Sequence, residues 1–359
     1  MPRTILLALS LLFTACGDGK NPSDGGEIAV SGLNEDETVV LFRTAGWLDE
    51  ASQEWHLPIH GWVYEPQDSS ARKALFETIL EEQFDLVPTD KTESNLERRL
   101  NLLIADNERG EFLVANLLGR EYTLPPSAEN GQFSTTITVP AADLAEWVVD
   151  GHVEYRVGTV VGEVRLVEPT GPSVISDIDD TVKISDVTDK ASLLEHTFLL
   201  DFMAAPGMAD QYREWSAGDV SFHFVSSSPW QLYSPLTEFL DDEGFPWATL
   251  SLKAVRFRDE TFFDLFKKGT ETKPAAIKKI LAAYPDRYFV LVGDSGEQDP
   301  EVYAALIREN PVQIKKIYIR NVTDEAPDNE RFTAVFGDID SARWSLFVDP
   351  AGLDLPSSP

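Results

Sequence analysis

Residues 174–185 read VISDIDDTVKIS: a short apolar, β-favouring run, then carboxylates at Asp177, Asp179 and Asp180, then Thr181. Ionised side chains this close repel one another, so the cluster needs a reason. One reading is an acidic turn that ends a strand. The other is a site in which a cation holds the carboxylates together and chemistry uses them.

The sequence downstream bears on that choice. After the breaker cluster Glu168-Pro169-Thr170-Gly171-Pro172, apolar runs alternate with helical spacing, the signature of a parallel sheet covered by helices. Strands are expected at 173–176, 220–225, 287–292 and 316–319, and helices at 193–203, 209–215, 233–242, 274–283 and 300–309. In such sheets ligands bind beyond the carboxyl ends of the strands. The first strand ends at Asp177-Ile178-Asp179-Asp180-Thr181 and the second at Ser226-Ser227-Ser228-Pro229-Trp230. The third ends at Gly293-Asp294-Ser295-Gly296-Glu297-Gln298-Asp299, and Lys273 stands directly before the helix that leads into it.

This order of elements resembles the haloacid-dehalogenase-like phosphatases over residues 173–320. The resemblance implies that Asp177 attacks phosphorus to form an aspartyl-phosphate, while Asp179 serves as acid and then base. It implies phosphate contacts from Thr181, Ser226 and Ser227, and charge neutralisation by Lys273. Magnesium (Mg2+) is the implied cofactor, with Asp177, Asp179, Asp294 and Asp299 as its ligands. The strings SDIDDTVKIS, VSSSPWQLY and VGDSGEQDPEVY narrow the likeness to the catalytic domain of actin-patch-protein-type phosphatidate phosphatases. That implies phosphatidate as substrate and diacylglycerol and phosphate as products. Those proteins also carry a β-rich region ahead of the catalytic domain.

Residues 35–170 fit that description. The stretches 38–43, 133–139, 152–157 and 160–167 have the β-branched content or period-two alternation of strands, and 69–83 and 92–104 have helical spacing. The expectation is an α/β catalytic domain with a dehalogenase-like parallel sheet, preceded by a sandwich-like β domain with a helical insertion. The chain then divides into a signal (1–15), a flexible tether (16–34), the β-rich domain (35–170), the catalytic domain (171–325) and a C-terminal extension (326–359).

The first residues suggest how the protein is held in place. Arg3, an apolar run over 5–13 and Thr14-Ala15 precede Cys16, the only cysteine of the chain. This resembles a bacterial lipoprotein signal, with Phe13 where that pattern prefers Leu; an ordinary secretory signal is the alternative. It implies a lipidated Cys16 and anchoring to a membrane of the bacterial envelope. With no second cysteine, disulfides cannot contribute to stability there.

The formal net charge of −31 argues against nucleic acid and against broad adsorption to anionic lipid. The window 253–320 is the exception, with 13 Lys and Arg against 10 Asp and Glu. Inside it Phe262, Phe263 and Phe266 recur at helical spacing beside Arg256, Arg258, Lys267 and Lys268. They suit either a helix burying its aromatic face or an interfacial segment.

Other motifs carry less. Gly293-Asp294-Ser295-Gly296 echoes a serine-protease nucleophile, but Glu297 follows where that pattern has Gly, and the early candidate histidines, His56 and His60, sit among Trp and Pro as surface-loop or packing residues would. Asp338-Ile339-Asp340 lacks the Thr that closes the first motif and reads as a polar turn. Two rival functions stand beside phosphatidate hydrolysis: a phosphatase of soluble phosphomonoesters, and a non-catalytic phosphatidate-binding module. The presence of both Asp177 and Asp179 argues against the second.

Overall fold

The computed structural model describes residues 33–67, 69–254 and 272–356. The expected signal, Cys16 and the segment 256–269 lie outside them.

The upstream region contains β1 (Thr38–Leu41), β2 (Thr44–Asp49), β3 (Glu54–Glu65), α1 (Ser70–Phe84), α2 (Glu93–Ile104), β4 (Asp106–Asn107), β5 (Val114–Leu117), β6 (Arg120–Thr123), β7 (Gln132–Pro140), α3 (Ala141–Leu144), β8 (Val148–Val149), β9 (His152–Val157) and β10 (Val160–Val167). Its strands form one hydrogen-bonded network, ordered β1-β3-β2-β10-β9-β5-β6, with β4 and β7 also on β3 and β8 on β9. The spine is β3, where Trp55, Leu57 and Ile59 alternate inward with period two. Helices α1 and α2 interrupt the sheet between β3 and β4. The first begins where the Ser69 hydroxyl accepts from Arg72 N, and it stops at Asp85 in the left-handed region, φ 58°.

The second region contains β11 (Gly171–Ser176), α4 (Lys190–Leu194), α5 (Met208–Ser216), β12 (Ser221–Pro229), α6 (Tyr233–Asp242), β13 (Ala248–Lys253), α7 (Thr272–Ala283), β14 (Arg287–Asp294), α8 (Asp299–Glu309), β15 (Ile314–Arg320), α9 (Glu330–Phe336) and β16 (Trp344–Phe347). All six strands are parallel, in the order β13-β12-β11-β14-β15-β16. Both faces are covered: Val174, Val290 and Val292 pack into one core, and Ile175, Phe289 and Leu291 into another. Burial on both sides explains why these strands read as continuous apolar runs. The chain starts at the centre of the sheet, builds outward to β13, and then returns to build the other half. The strand order therefore reverses between β11 and β14, the point at which open parallel sheets bind their ligands.

Three sequence expectations change. The sheet does not end near residue 320, because residues 344–347, expected within a C-terminal extension, pair with β15. That strand is short and mostly half-exposed, so no alternation marks it. The edge strand β13 likewise has no counterpart among the expected strands. The helix expected over 193–203 breaks after α4 into a π-helical turn, Glu195–Leu199, and the chain is non-helical from Leu200.

A buried arginine braces the segment that connects the two sheets. Arg287, 1% exposed, donates to Ser173 Oγ at 2.8 Å and to the Glu168 carbonyl at 2.8 Å. It also donates to the carbonyls of Thr170 and Pro172. Gly171 adopts φ +116°, and a Cβ there would approach Arg287 Nη1 to 3.1 Å.

Candidate active site

Asp177 follows β11 directly, and its N–H donates to Val292 O of β14 at 2.9 Å. The residue is thus fixed at the point where the strand order reverses. Its Oδ1 accepts from Lys273 Nζ at 2.9 Å, and its Oδ2 accepts from Thr181 Oγ1 at 3.3 Å. Lys273 enters from the start of α7 and also donates to Asp299 Oδ1 at 2.6 Å and Glu297 Oε2 at 3.2 Å.

Asp294 closes β14. Its Oδ1 accepts from Gly296 N at 2.6 Å and Glu297 N at 3.0 Å, while its buried Oδ2 has no partner among the described residues. Asp299 opens α8, where the helix N-terminus favours a carboxylate, and folds back against the end of β14. Gly293 permits this approach, since a Cβ there would lie 2.3 Å from Asp299 Oδ2. Asp177, Asp294 and Asp299 each offer a carboxylate oxygen within 4.8 Å of the others.

One ammonium thus faces the carboxylates of Asp177, Glu297, Asp294 and Asp299 in a buried space. Burial raises the Asp177 carboxyl well above its ordinary range; Lys273 opposes that, and Asp299, Glu297 and Asp294 add to it. Burial and repulsion from Asp299 and Glu297 do the same to Asp294. Burial works against the charge of Lys273, but Asp177, Asp299 and Glu297 hold its pKa well above the usual lysine range. An all-oxygen donor set with excess negative charge and an unpartnered carboxylate oxygen fits a hard divalent cation.

Asp179 faces elsewhere. Its Oδ1 pairs with Lys183 Nζ at 2.9 Å and accepts from Ser185 Oγ at 2.7 Å, while its Oδ2 accepts from Ser226 Oγ at 3.0 Å and Ser228 Oγ at 3.1 Å. Burial would raise its pKa, but Lys183 and these hydrogen bonds prevail and bring it to about 2. Both side-chain oxygens are engaged, and Asp179 stands apart from the cluster of Asp177, Asp294 and Asp299.

Asp180 answers the opening question for the third carboxylate. At φ 54° it occupies the left-handed region that Asp tolerates. Its Oδ1 accepts from Ser185 N and Asp186 N at 2.8 Å each, and its Oδ2 from Val187 N at 2.6 Å. Arg320 Nη1 donates to the Asp180 carbonyl at 2.6 Å. This carboxylate shapes the loop.

The structure therefore brings together Asp177, Lys273, Asp294 and Asp299, and sets Ser226 beside Asp179. Thr181 is fully buried and braces Asp177 through its hydroxyl. The hydroxyls of Ser226 and Ser228 both reach Asp179, because alternate strand residues share a face. Glu297, Lys183, Ser185 and Ser228 are not among the residues that the motifs single out. The period-two rule applied to Ser226-Ser227-Ser228 would have found Ser228.

An α/β domain with a buried acidic cluster and one lysine at its strand ends is the class that the fold and these side chains define. Residues 172–321 match the family model described as the catalytic domain of phosphatidate phosphatase APP1. Phosphatidate phosphatase APP1 of Saccharomyces cerevisiae is 34% identical over 184 residues, covering 50% of this chain and 30% of that protein. An uncharacterized protein of Schizosaccharomyces pombe is 28% identical over 251 residues, covering 68% of this chain and 39% of that one. The chain thus spans well under half the length of these curated relatives. A solved Thermotoga maritima structure aligns over 50% of this chain and 95% of its own at 13% identity, with a TM-score of 0.29, an overlap too weak to bear on the fold.

Proposed function

We propose that this chain is a magnesium-dependent phosphomonoester hydrolase acting on phosphatidate, with a dehalogenase-like catalytic domain behind a sandwich-like β domain. The observation that carries the reading is the buried set Asp177, Lys273, Asp294 and Asp299 at the strand-order reversal. The match of residues 172–321 supports phosphatidate as the substrate class.

In this reading a carboxylate oxygen of Asp177 attacks phosphorus as the bond to the leaving oxygen breaks, giving an aspartyl-phosphate. Lys273 neutralises charge on the phosphoryl oxygens. Asp179 is ionised in the resting site; a phosphate dianion beside it would raise its pKa, so that it carries a proton to the departing alkoxide. In the second half it accepts a proton from the water that attacks the acyl-phosphate, and Asp177 is restored. Ser226 and Ser228, now on Asp179, are free to turn their O–H groups to phosphoryl oxygens. Magnesium held by Asp177, Asp294 and Asp299 would supply positive charge that this acidic pocket otherwise lacks.

Lipidation at Cys16 and an envelope location complete the proposal. Among the described residues no helix is long and apolar enough to cross a membrane. Cys16→Ser should then free the protein from membranes, and unchanged retention would remove the anchor. The central experiment measures inorganic phosphate released from short-chain phosphatidate, lysophosphatidate and sugar phosphates, with and without magnesium. Magnesium-dependent release from phosphatidate is expected. Release from sugar phosphates alone would move the substrate class to soluble monoesters, and release from none would leave a binding module.

A further inference from the structure

The β-rich half of the chain reaches the catalytic half through a buried guanidinium. Arg99 on α2 is 5% exposed, whereas its neighbour Arg98 lies at the surface and pairs with Glu238. Arg99 Nη1 donates to Thr197 O at 3.1 Å and Leu200 O at 2.7 Å, the carbonyls where the π-helical turn ends. Its guanidinium carbon lies 3.9 Å from the centre of the Phe202 ring. One turn earlier, Asn95 Nδ2 donates to Leu199 O at 3.1 Å and Asp201 Oδ1 at 2.9 Å. Helix α2 therefore holds the segment 197–202 by its orphan carbonyls and by one aromatic ring.

That segment leads straight to the catalytic loop. On the far side of Phe202, Ile184 N donates to Met203 O at 2.9 Å and Ala205 N to Val182 O at 2.8 Å, so residues 203–205 pair with 182–184. Lys183, between those bonds, places its Nζ 5.0 Å from the same Phe202 ring and 2.9 Å from Asp179 Oδ1. Lys183 is itself almost fully buried and also bonds Ser185. Each link from α2 to Asp179 is thus a hydrogen bond, an ion pair or a cation–ring contact.

We propose that Arg99 is a positioning residue for phosphoryl transfer, acting through Phe202 and Lys183 to hold Asp179 at the leaving-group oxygen. The inference rests on the phosphatase reading and gives the β-rich region a part in catalysis. Its physical basis is that proton delivery depends on placement, so a small displacement of Asp179 is costly. The cost falls most heavily on esters whose leaving oxygen needs the proton.

The test compares two soluble substrates: a short-chain phosphatidate, whose alkoxide leaves poorly, and p-nitrophenyl phosphate, whose phenolate leaves readily. In the full chain with magnesium, Arg99→Met should lower kcat/KM, which reports aspartyl-phosphate formation and not its hydrolysis, by about tenfold on phosphatidate, with a much smaller loss on the aryl ester. In a Lys183→Met background the same change should add little, because both act on one group. Arg99→Lys keeps a cation that can reach one carbonyl, and should show the same substrate bias at smaller size. It decides the matter if the Met variant does not fold. Equal losses on both substrates, or full additivity with Lys183→Met, would overturn the inference and assign Arg99 a structural role. Wild-type protein that hydrolyses neither substrate would overturn the phosphatase reading, and this inference with it.

Discussion

Lys273 Nζ donates to Asp177 Oδ1 across 2.9 Å, although 96 positions separate the two residues in the chain. Both are almost fully buried. A buried ion pair is weak evidence for stability, because desolvation offsets most of the attraction. Its place at the end of two neighbouring strands fits a role in chemistry better.

Asp177→Asn keeps the shape of the side chain but removes the nucleophile. Turnover of any phosphomonoester should fall by at least about 10³-fold, with circular dichroism unchanged. Near-wild-type turnover in this variant would dispose of the aspartyl-phosphate.

Asp294→Asn addresses the cation without using activity as the readout. Asn keeps the acceptor for Gly296 N and Glu297 N and removes one charge from a crowded set. The metal-free unfolding midpoint should rise slightly. The wild type should gain ~2.7 kcal/mol at a magnesium concentration 100 times its Kd, and the variant should lose most of that gain. An equal magnesium response in both proteins would place the ion elsewhere.

Stability should decline in acid partly through His223. This residue on β12 is 2% exposed, its Nδ1 lies 2.8 Å from Thr249 Oγ1, and its Nε2 has no partner among the described residues. Burial, with Arg287 and Arg165 nearby, lowers its pKa from 6.5 to about 3. The unfolded chain takes up this proton near pH 6.5 and the folded chain does not, so the contribution is full above that pH. It is lost as the pH falls toward 3, by up to ~1.4 kcal/mol per pH unit. Urea midpoints at pH 7.5 and 5.0 should differ less in His223→Gln than in the wild type. The same difference in both would show that His223 does not contribute.

Arg287→Met should loosen the junction between the sheets. It leaves the carbonyls of Glu168, Thr170 and Pro172 without their donor, at ~1–3 kcal/mol for each one that water does not reach. A loss of about 3 kcal/mol or more in unfolding free energy is expected. A change under about 0.5 kcal/mol, the range of ordinary surface substitutions, would mean that water replaces the guanidinium.

Much of the site is legible in the amino-acid sequence. Apolar runs with polar ends are local features, and parallel sheets bury both faces of their strands, so the strand ends stand out. Asp177, Asp294 and Asp299 sit at or beside those ends, and Lys273 opens the helix that leads into β14. The edge strand β16 escapes because a short, half-exposed strand carries little pattern, whereas β13 alternates buried and half-buried residues with period two and was legible in principle.

The division of labour among Asp177, Asp179 and Asp180 belongs to the tertiary structure. By itself the sequence determined that three carboxylates follow the first strand of a parallel sheet, within reach of whatever the other strand ends supply. Where each one points depends on partners far along the chain: Lys273 for Asp177, Ser226 and Ser228 for Asp179, and Arg320, 140 residues away, on the carbonyl of Asp180. The left-handed turn at Asp180 sends neighbouring side chains in different directions. The hold of Arg99 on the segment before Lys183 is equally invisible from spacing, because it joins two regions about a hundred residues apart that only folding brings together.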